Sequence, residues 1–142
     1  MAPRLIPMQF VLNNWYLFLA LFAVLGMLIV PPLRQRMYGI KNLSPADAVQ
    51  IINRQSGTVV DVREPAEYNT GHIPSSLNVP MAGLATHKPL EKHKDRPLII
   101  ACRSGNRSVT AAIALRKRGF TQVYSLAGGM TAWQRDSLPT EK

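Results

Sequence analysis

One cysteine, Cys102, stands alone in 142 residues, so no intrachain disulfide can form. Zinc chemistry lacks ligands too: His87 and His93 sit in a polar stretch without partners at metal-ligand spacing, and no metal site follows. Acidic residues are scarce, 8 against 17 lysines and arginines, which leaves a formal net charge of +9. Nucleic-acid binders share such a balance. Here the cations are scattered and no basic stripe with interleaved aromatics occurs, so no nucleic-acid partner is expected. Internal repeats and low-complexity segments are absent as well.

Charge is missing altogether between Arg4 and Arg34, and Trp15 to Val30 is apolar except for the Tyr16 hydroxyl. About 20 helical residues cross the hydrocarbon core, so Phe10 to Val30 is long enough. No polar face recurs at helical spacing from Leu17 to Val30, as in a membrane span rather than a soluble core helix. Trp15 and Tyr16 suit one interface, and Pro31-Pro32 is expected to stop the helix at the other. A signal peptide cut after Gly26 is the competing reading. Against it, the apolar run exceeds the usual ~7–15 residues and closes on Leu28-Ile29-Val30 rather than a small-x-small site. Residues 1–33 are therefore read as an uncleaved single-pass anchor in the inner (cell) membrane and 34–41 as a basic linker. Arg34, Arg36 and Lys41 after the span outweigh Arg4 and the α-amino group before it by about one charge, so the C-terminal domain is expected in the cytoplasm. The bilayer is thus an expected partner, and the basicity suits a domain held near its anionic surface.

About 105 residues remain beyond the anchor, enough for one core but not two. Ser44-Pro45-Ala46-Asp47 reads as a helix start with Ser44 as N-cap, continued by Ala48, Ile51 and Ile52 and ended by Gly57. Thr58 to Val62 is a β-branched strand, Glu64 to Tyr68 one or two helical turns, and Ser76 to Val79 another strand. Short helical pieces fit Leu84 to Lys94. Leu98 to Ala101 is a buried strand, Ser108 to Arg118 a helix closed by Gly119, and Gln122 to Leu126 the last strand. Gly128-Gly129 opens a terminal helix holding Trp133, which is read as core packing. Strands alternating with helices predict an α/β domain with a mostly parallel sheet, whose sites form beyond the carboxyl ends of its strands.

Cys102 falls at such an end, on the turn Cys102-Arg103-Ser104-Gly105-Asn106-Arg107-Ser108 ahead of a helix. A lone cysteine is commonly a small buried hydrophobe. The setting argues for a reactive one. The thiolate is the nucleophile, and a helix N-terminus with unpaired N–H groups and two flanking arginines favours an anion.

Asp61-Val62-Arg63-Glu64-Pro65-Ala66-Glu67-Tyr68, Gly71-His72-Ile73-Pro74 and Asn78-Val79-Pro80 resemble the N-terminal signature of a rhodanese domain. Leu126-Ala127-Gly128-Gly129-Met130 with Ala132-Trp133 resembles its C-terminal signature, and the cysteine loop lies between. The likeness covers about Ile40 to Pro139, and the whole chain is similar to membrane-anchored single-domain rhodaneses of bacteria. The resemblance implies a rhodanese domain over 42–139 with a tail at 140–142, built as a five-stranded parallel sheet with helices on both faces. It also implies thiosulfate or another sulfane-sulfur compound as a small anionic donor. In the resembled family Arg63 and Glu67, four apart as on a helical turn, pair and brace the fold, and the turn holding His72 is scaffold rather than a general base. Asp61 is assigned hydrogen bonding.

The chemistry implied is a double transfer. The Cys102 thiolate takes the outer sulfur of the donor, sulfite leaves, and a thiophilic acceptor then removes the sulfur from the persulfide. Backbone N–H groups from Arg103 to Arg107 surround the anion in this reading, with Arg103 and Arg107 drawing in the donor. Arg103, Ser104, Gly105, Asn106, Arg107 and Ser108 are the expected substrate-binding loop, and no metal or organic cofactor is required. With no second cysteine to resolve the persulfide, sulfur must leave to cyanide, a small thiol or another protein. Phosphate or arsenate chemistry is the nearest enzyme alternative. The six residues from Cys102 to Arg107 match the sulfurtransferase loop, whereas phosphatase relatives use one more. A noncatalytic membrane-bound binding module on the same fold is the alternative of another class.

Overall fold

The computed structural model describes residues 7–142, so the Arg4 flank lies outside the described residues. Two compact units divide the chain, one up to Arg34 and one from Gln35 to Lys142. In the first, a short helix α1 (Met8–Asn13) ends at Asn14, whose side-chain amide donates to the Phe10 carbonyl at 2.8 Å. Helix α2 (Trp15–Met37) follows, 23 residues with none buried, and it is long and apolar enough to cross a membrane. At ~1.5 Å per residue it measures about 34 Å, against roughly 30 Å of hydrocarbon.

Pro31 and Pro32 do not stop this helix, contrary to the sequence expectation: both lie inside α2. Proline's fixed φ is already helical, and what it removes is the N–H donated four residues back. The carbonyls of Met27 and Leu28 lose that donor while the turn beyond continues. Arg34–Met37 is accordingly helical, and Lys41 already belongs to a strand, so little of 34–41 is free linker.

The second unit is a five-stranded parallel sheet in the order β1-β5-β4-β2-β3, formed by β1 (Lys41–Leu43), β2 (Thr58–Asp61), β3 (Leu77–Asn78), β4 (Leu98–Ala101) and β5 (Val123–Leu126). Its crossovers carry α3 (Pro45–Gln55), α4 (Pro65–Tyr68), two 3₁₀ turns (Met81–Gly83 and Lys88–His93) and α5 (Asn106–Lys117), and α6 (Gly129–Arg135) follows the last strand. Ser44 caps α3 as its sequence predicts, accepting from the Asp47 amide at 3.2 Å with Pro45 in the first turn.

Alternation along the strands divides the core into two layers. Val60, Leu98, Ile100 and Val123 pack with Ala111, Ala112 and Leu115 of α5 and with Phe120, Leu84 and Leu90. Val59, Ile99, Ala101 and Leu126 pack on the other face with Ala48 of α3 and Met130 and Trp133 of α6. Trp133 is therefore core, and its indole N–H is satisfied by the Pro139 carbonyl at 2.9 Å. The segment 140–142 is no free tail. Glu141 forms an isolated antiparallel bridge with His72, with both N–H groups donating at 2.9 Å, and its carboxylate accepts from the Ser75 amide at 2.9 Å.

Candidate active site

Every strand of a parallel sheet ends on the same side, and β4 ends at Ala101, so Cys102 is the first residue beyond the sheet. Gly105 is the N-cap of α5 with φ +98, a conformation glycine adopts without steric cost. This turns the chain back so that the Gly105 amide donates to Cys102 Sγ at 3.0 Å. Helix α5 begins at Asn106, earlier than the Ser108 expected from sequence, because the glycine turn completes the entry into the helix. Ser108 faces inward, donating to the Gly105 carbonyl at 2.8 Å and bonding the Ser125 hydroxyl at 2.7 Å. It ties the helix entry to β5.

The Gly128-Gly129 pair seats the loop from the opposite side. The Met130 amide donates to the Cys102 carbonyl at 2.8 Å, and Thr131 donates to the Arg103 carbonyl through its amide at 3.0 Å and its hydroxyl at 2.9 Å. A Cβ on Gly129 would stand 2.3 Å from the Cys102 carbonyl oxygen, and one on Gly105 would stand 3.1 Å from the Gly128 nitrogen. Backbone runs against backbone here. Only glycine leaves room.

The arginines take different places. Arg103 is exposed and lines a depression of about 510 Å³ with Arg63, Glu67, Thr70, Thr131 and Gln134 among its walls. Arg107 reaches Glu67 instead, with guanidinium nitrogens 3.2 and 3.3 Å from its two carboxylate oxygens. That hydrogen-bonded guanidinium holds the Glu67 carboxyl below its usual value, against the opposing effect of partial burial. Glu67 also accepts from the Glu64 amide at 3.2 Å, which fixes the start of α4. Ser104 and Asn106 are exposed, Cys102 is 1% exposed, and none of the three is among the walls of the depression.

Arg63 and Glu67 are not partners, which corrects the pairing the resemblance implied. Arg63 precedes α4, so the four-residue helical spacing does not apply to it. Buried Arg63 holds Asp61 with its Nε at 3.0 Å and a terminal nitrogen at 2.7 Å, and donates to the Gly71 carbonyl at 2.8 Å. Asp61 also accepts from the Arg63 amide at 3.0 Å, and the Asn78 side chain donates to the Asp61 and Arg63 carbonyls. His72 stacks on the Tyr68 ring with centroids 3.7 Å apart, and its Nδ1 lies 3.0 Å from the Tyr68 carbonyl. It braces a turn. The glycine pair and the Glu67 carboxylate are the site contributors that residue-by-residue reasoning passed over, and the signal for the first was the doubled glycine after β5.

A family model described as the rhodanese-like domain matches residues 44–136. The uncharacterized protein YibN of Escherichia coli K12 is 34% identical over 134 residues, covering 93% of this chain and 94% of its own. Thiosulfate sulfurtransferase GlpE of Pseudoalteromonas translucida is 39% identical over 66% of this chain and 89% of its own. The crystal structure of a rhodanese-related protein from Thermoplasma volcanium superposes with a TM-score of 0.63 at 31% identity, covering 71% of this chain and 97% of that one. With its model match, its parallel sheet and its glycine-seated cysteine loop, the chain belongs to the rhodanese-like domain family.

Proposed function

We propose that the chain is a membrane-anchored sulfurtransferase that carries sulfane sulfur on Cys102. The observation that carries this reading is the Gly105 amide 3.0 Å from Sγ at the N-terminus of α5, a donor placed to favour the Cys102 thiolate that attacks the donor sulfur. A relative named as a thiosulfate sulfurtransferase supports the substrate class. In the first half-reaction the Cys102 thiolate attacks the outer sulfur of thiosulfate. The bond to the sulfonate sulfur breaks, its electron pair leaves with sulfite, and Cys102 keeps a persulfide. In the second, cyanide or a thiol attacks the terminal sulfur and the Cys102 thiolate is restored.

Donor recognition falls first to Arg103, since Arg107 is engaged by Glu67. Cys102 is 1% exposed, so the loop must shift for the donor to reach its sulfur. Ser108 acts through the loop carbonyl it holds, not on the donor. The full chain should release sulfite from thiosulfate when cyanide is supplied, and Cys102→Ser should abolish the release. Equal rates in the two proteins would remove Cys102 as the nucleophile.

The anchor reading rests on α2, whose apolar side chains would otherwise face water along the whole helix. The cations Arg34, Arg36 and Lys41 just beyond the apolar run favour a cytoplasmic domain. Alkaline carbonate should leave the chain with membranes, and external protease on spheroplasts should leave the domain whole. A soluble species beginning near Met27 would identify a cleaved signal peptide instead.

A further inference from the structure

Charge in the second unit is sorted along the strand direction. A parallel sheet puts all its strand starts at one end, and the segments leading into β1, β2, β4 and β5 are 35–41, 54–57, 91–97 and 116–122. Those segments hold nine cations, Arg36, Lys41, Arg54 and the run-in residues of β4 and β5, against two anions, Glu91 and Asp95. The rest of 35–142 holds six cations and six anions. All of the unit's net charge of +7, nine less two, therefore lies at the end of the sheet opposite Cys102.

The same end receives the chain from α2. Ile40 is buried, its amide donates to the Gln35 carbonyl at 3.1 Å, and the Gln35 side chain donates to the Ile40 carbonyl at 3.3 Å. Arg116 donates to the Tyr38 carbonyl at 3.0 Å, and the Lys117 ammonium stands 5.4 Å from the Tyr38 ring centroid. The carbonyls of Phe120 and Thr121 also accept from Arg116. These partners are neutral, so they hold the cations in place without cancelling their charge. Glu91 offsets part of the charge of Lys94 and Arg118, and exposed Arg36, Lys41 and Arg96 make no ion pair among the described residues.

We infer that the strand-start end of the domain is a docking face for anionic phospholipid headgroups, and that it turns the Cys102 loop toward the aqueous side. The inference rests on the anchor reading above and adds a contact surface to it. A bilayer of zwitterionic lipid offers the face nothing; one with a negative surface does. The sulfur acceptor is then met in solution rather than at the lipid surface.

Full-length protein reconstituted in vesicles of phosphatidylcholine alone, or of phosphatidylcholine with one-third phosphatidylglycerol, tests this by amide hydrogen exchange. Protection of 35–41 and 116–122 should rise several-fold with phosphatidylglycerol, fall again in molar salt, and leave 102–107 unchanged. The triple variant Arg36→Gln, Lys41→Gln, Arg96→Gln should lose the difference while keeping its thiosulfate activity. Equal protection in both vesicles, or protection at 102–107, overturns the docking face. Carbonate extraction of the same vesicles reads the anchor separately. If it strips the chain from both compositions the anchor fails, and salt-sensitive binding to phosphatidylglycerol vesicles alone then decides the docking face.

Discussion

Replacing Gly129 by alanine should disable the cysteine loop without touching the cysteine. The added Cβ would lie 2.3 Å from the Cys102 carbonyl oxygen and 2.8 and 2.9 Å from the Arg103 carbonyl carbon and oxygen. Ordinary contact begins near 3.4 Å, so the loop backbone must retreat by about 1 Å, a displacement that in catalytic sites costs on the order of 100-fold in rate. Stability suffers as well. Gly129 has φ +54, where a side chain costs roughly 1–2 kcal/mol, and the retreat stretches the Met130 and Thr131 amide bonds to the loop, each worth about 1 kcal/mol. The sum is about 3–4 kcal/mol, or roughly 10 °C or more in Tm for a domain of this size. Gly83→Ala is the control, since a Cβ there meets nothing within 4 Å, and its effect should stay within about 0.5 kcal/mol. Sulfite release from thiosulfate, measured well below the melting temperature of either variant, and thermal melting read the two effects. Gly129→Ala with unchanged kcat/KM and Tm would refute the view that close backbone packing of the glycine pair positions the loop.

Other substitutions probe the charges. Glu67→Gln should free Arg107 for the donor and lower the KM for thiosulfate several-fold at low salt, with the gain shrinking in high salt; an unchanged KM would show that Arg107 contributes nothing to donor capture even when released. Because Arg107 depresses the folded-state value of Glu67, the pair's contribution is present above the unfolded carboxyl's pKa and is lost as pH falls through the lower folded value. Urea melts should therefore show wild type and Glu67→Gln converging in acid; a gap that widens in acid contradicts the linkage. Asp61→Ala leaves Arg63 buried without its carboxylate and should cost about 3–5 kcal/mol in chemical denaturation. A loss under about 1 kcal/mol would mean that water replaces the carboxylate. His93 is held below its usual value by burial, with Lys92 and Arg96 adding to it, so it weakens folding as pH falls below the unfolded histidine value. His93→Gln should flatten the pH dependence of Tm over that range, and an unaltered slope would place the dependence elsewhere.

Much of the fold could be read from residues because the informative segments carry their own signals. The Leu98 to Ala101 run is buried on both faces, and Ser44-Pro45-Ala46-Asp47 caps its helix by local chemistry alone. Lys41-Asn42-Leu43 could not be seen. Three residues have no period, and they become a strand only by pairing Tyr124, Ser125 and Leu126. Pro31-Pro32 misled because proline's disfavour in a helix is a cost and not a prohibition, and the sequence does not say what outweighs it. The partner of Glu67 was illegible for a different reason. Helical spacing pointed to Arg63, but α4 starts at Pro65, and the true partner lies 40 residues away on α5. Gly128-Gly129 was visible as a helix opening, whereas its role against the Cys102 carbonyl exists only once α6 and the loop have met.

Sulfur carriage by Cys102 is decided by weighing the intact protein after thiosulfate treatment. The proposed mechanism predicts a population one sulfur atom heavier, stripped by cyanide or reductant and absent in Cys102→Ser. Complete absence of the heavier species in wild type, with thiosulfate and with a persulfide donor alike, would contradict it and leave the domain a binding module.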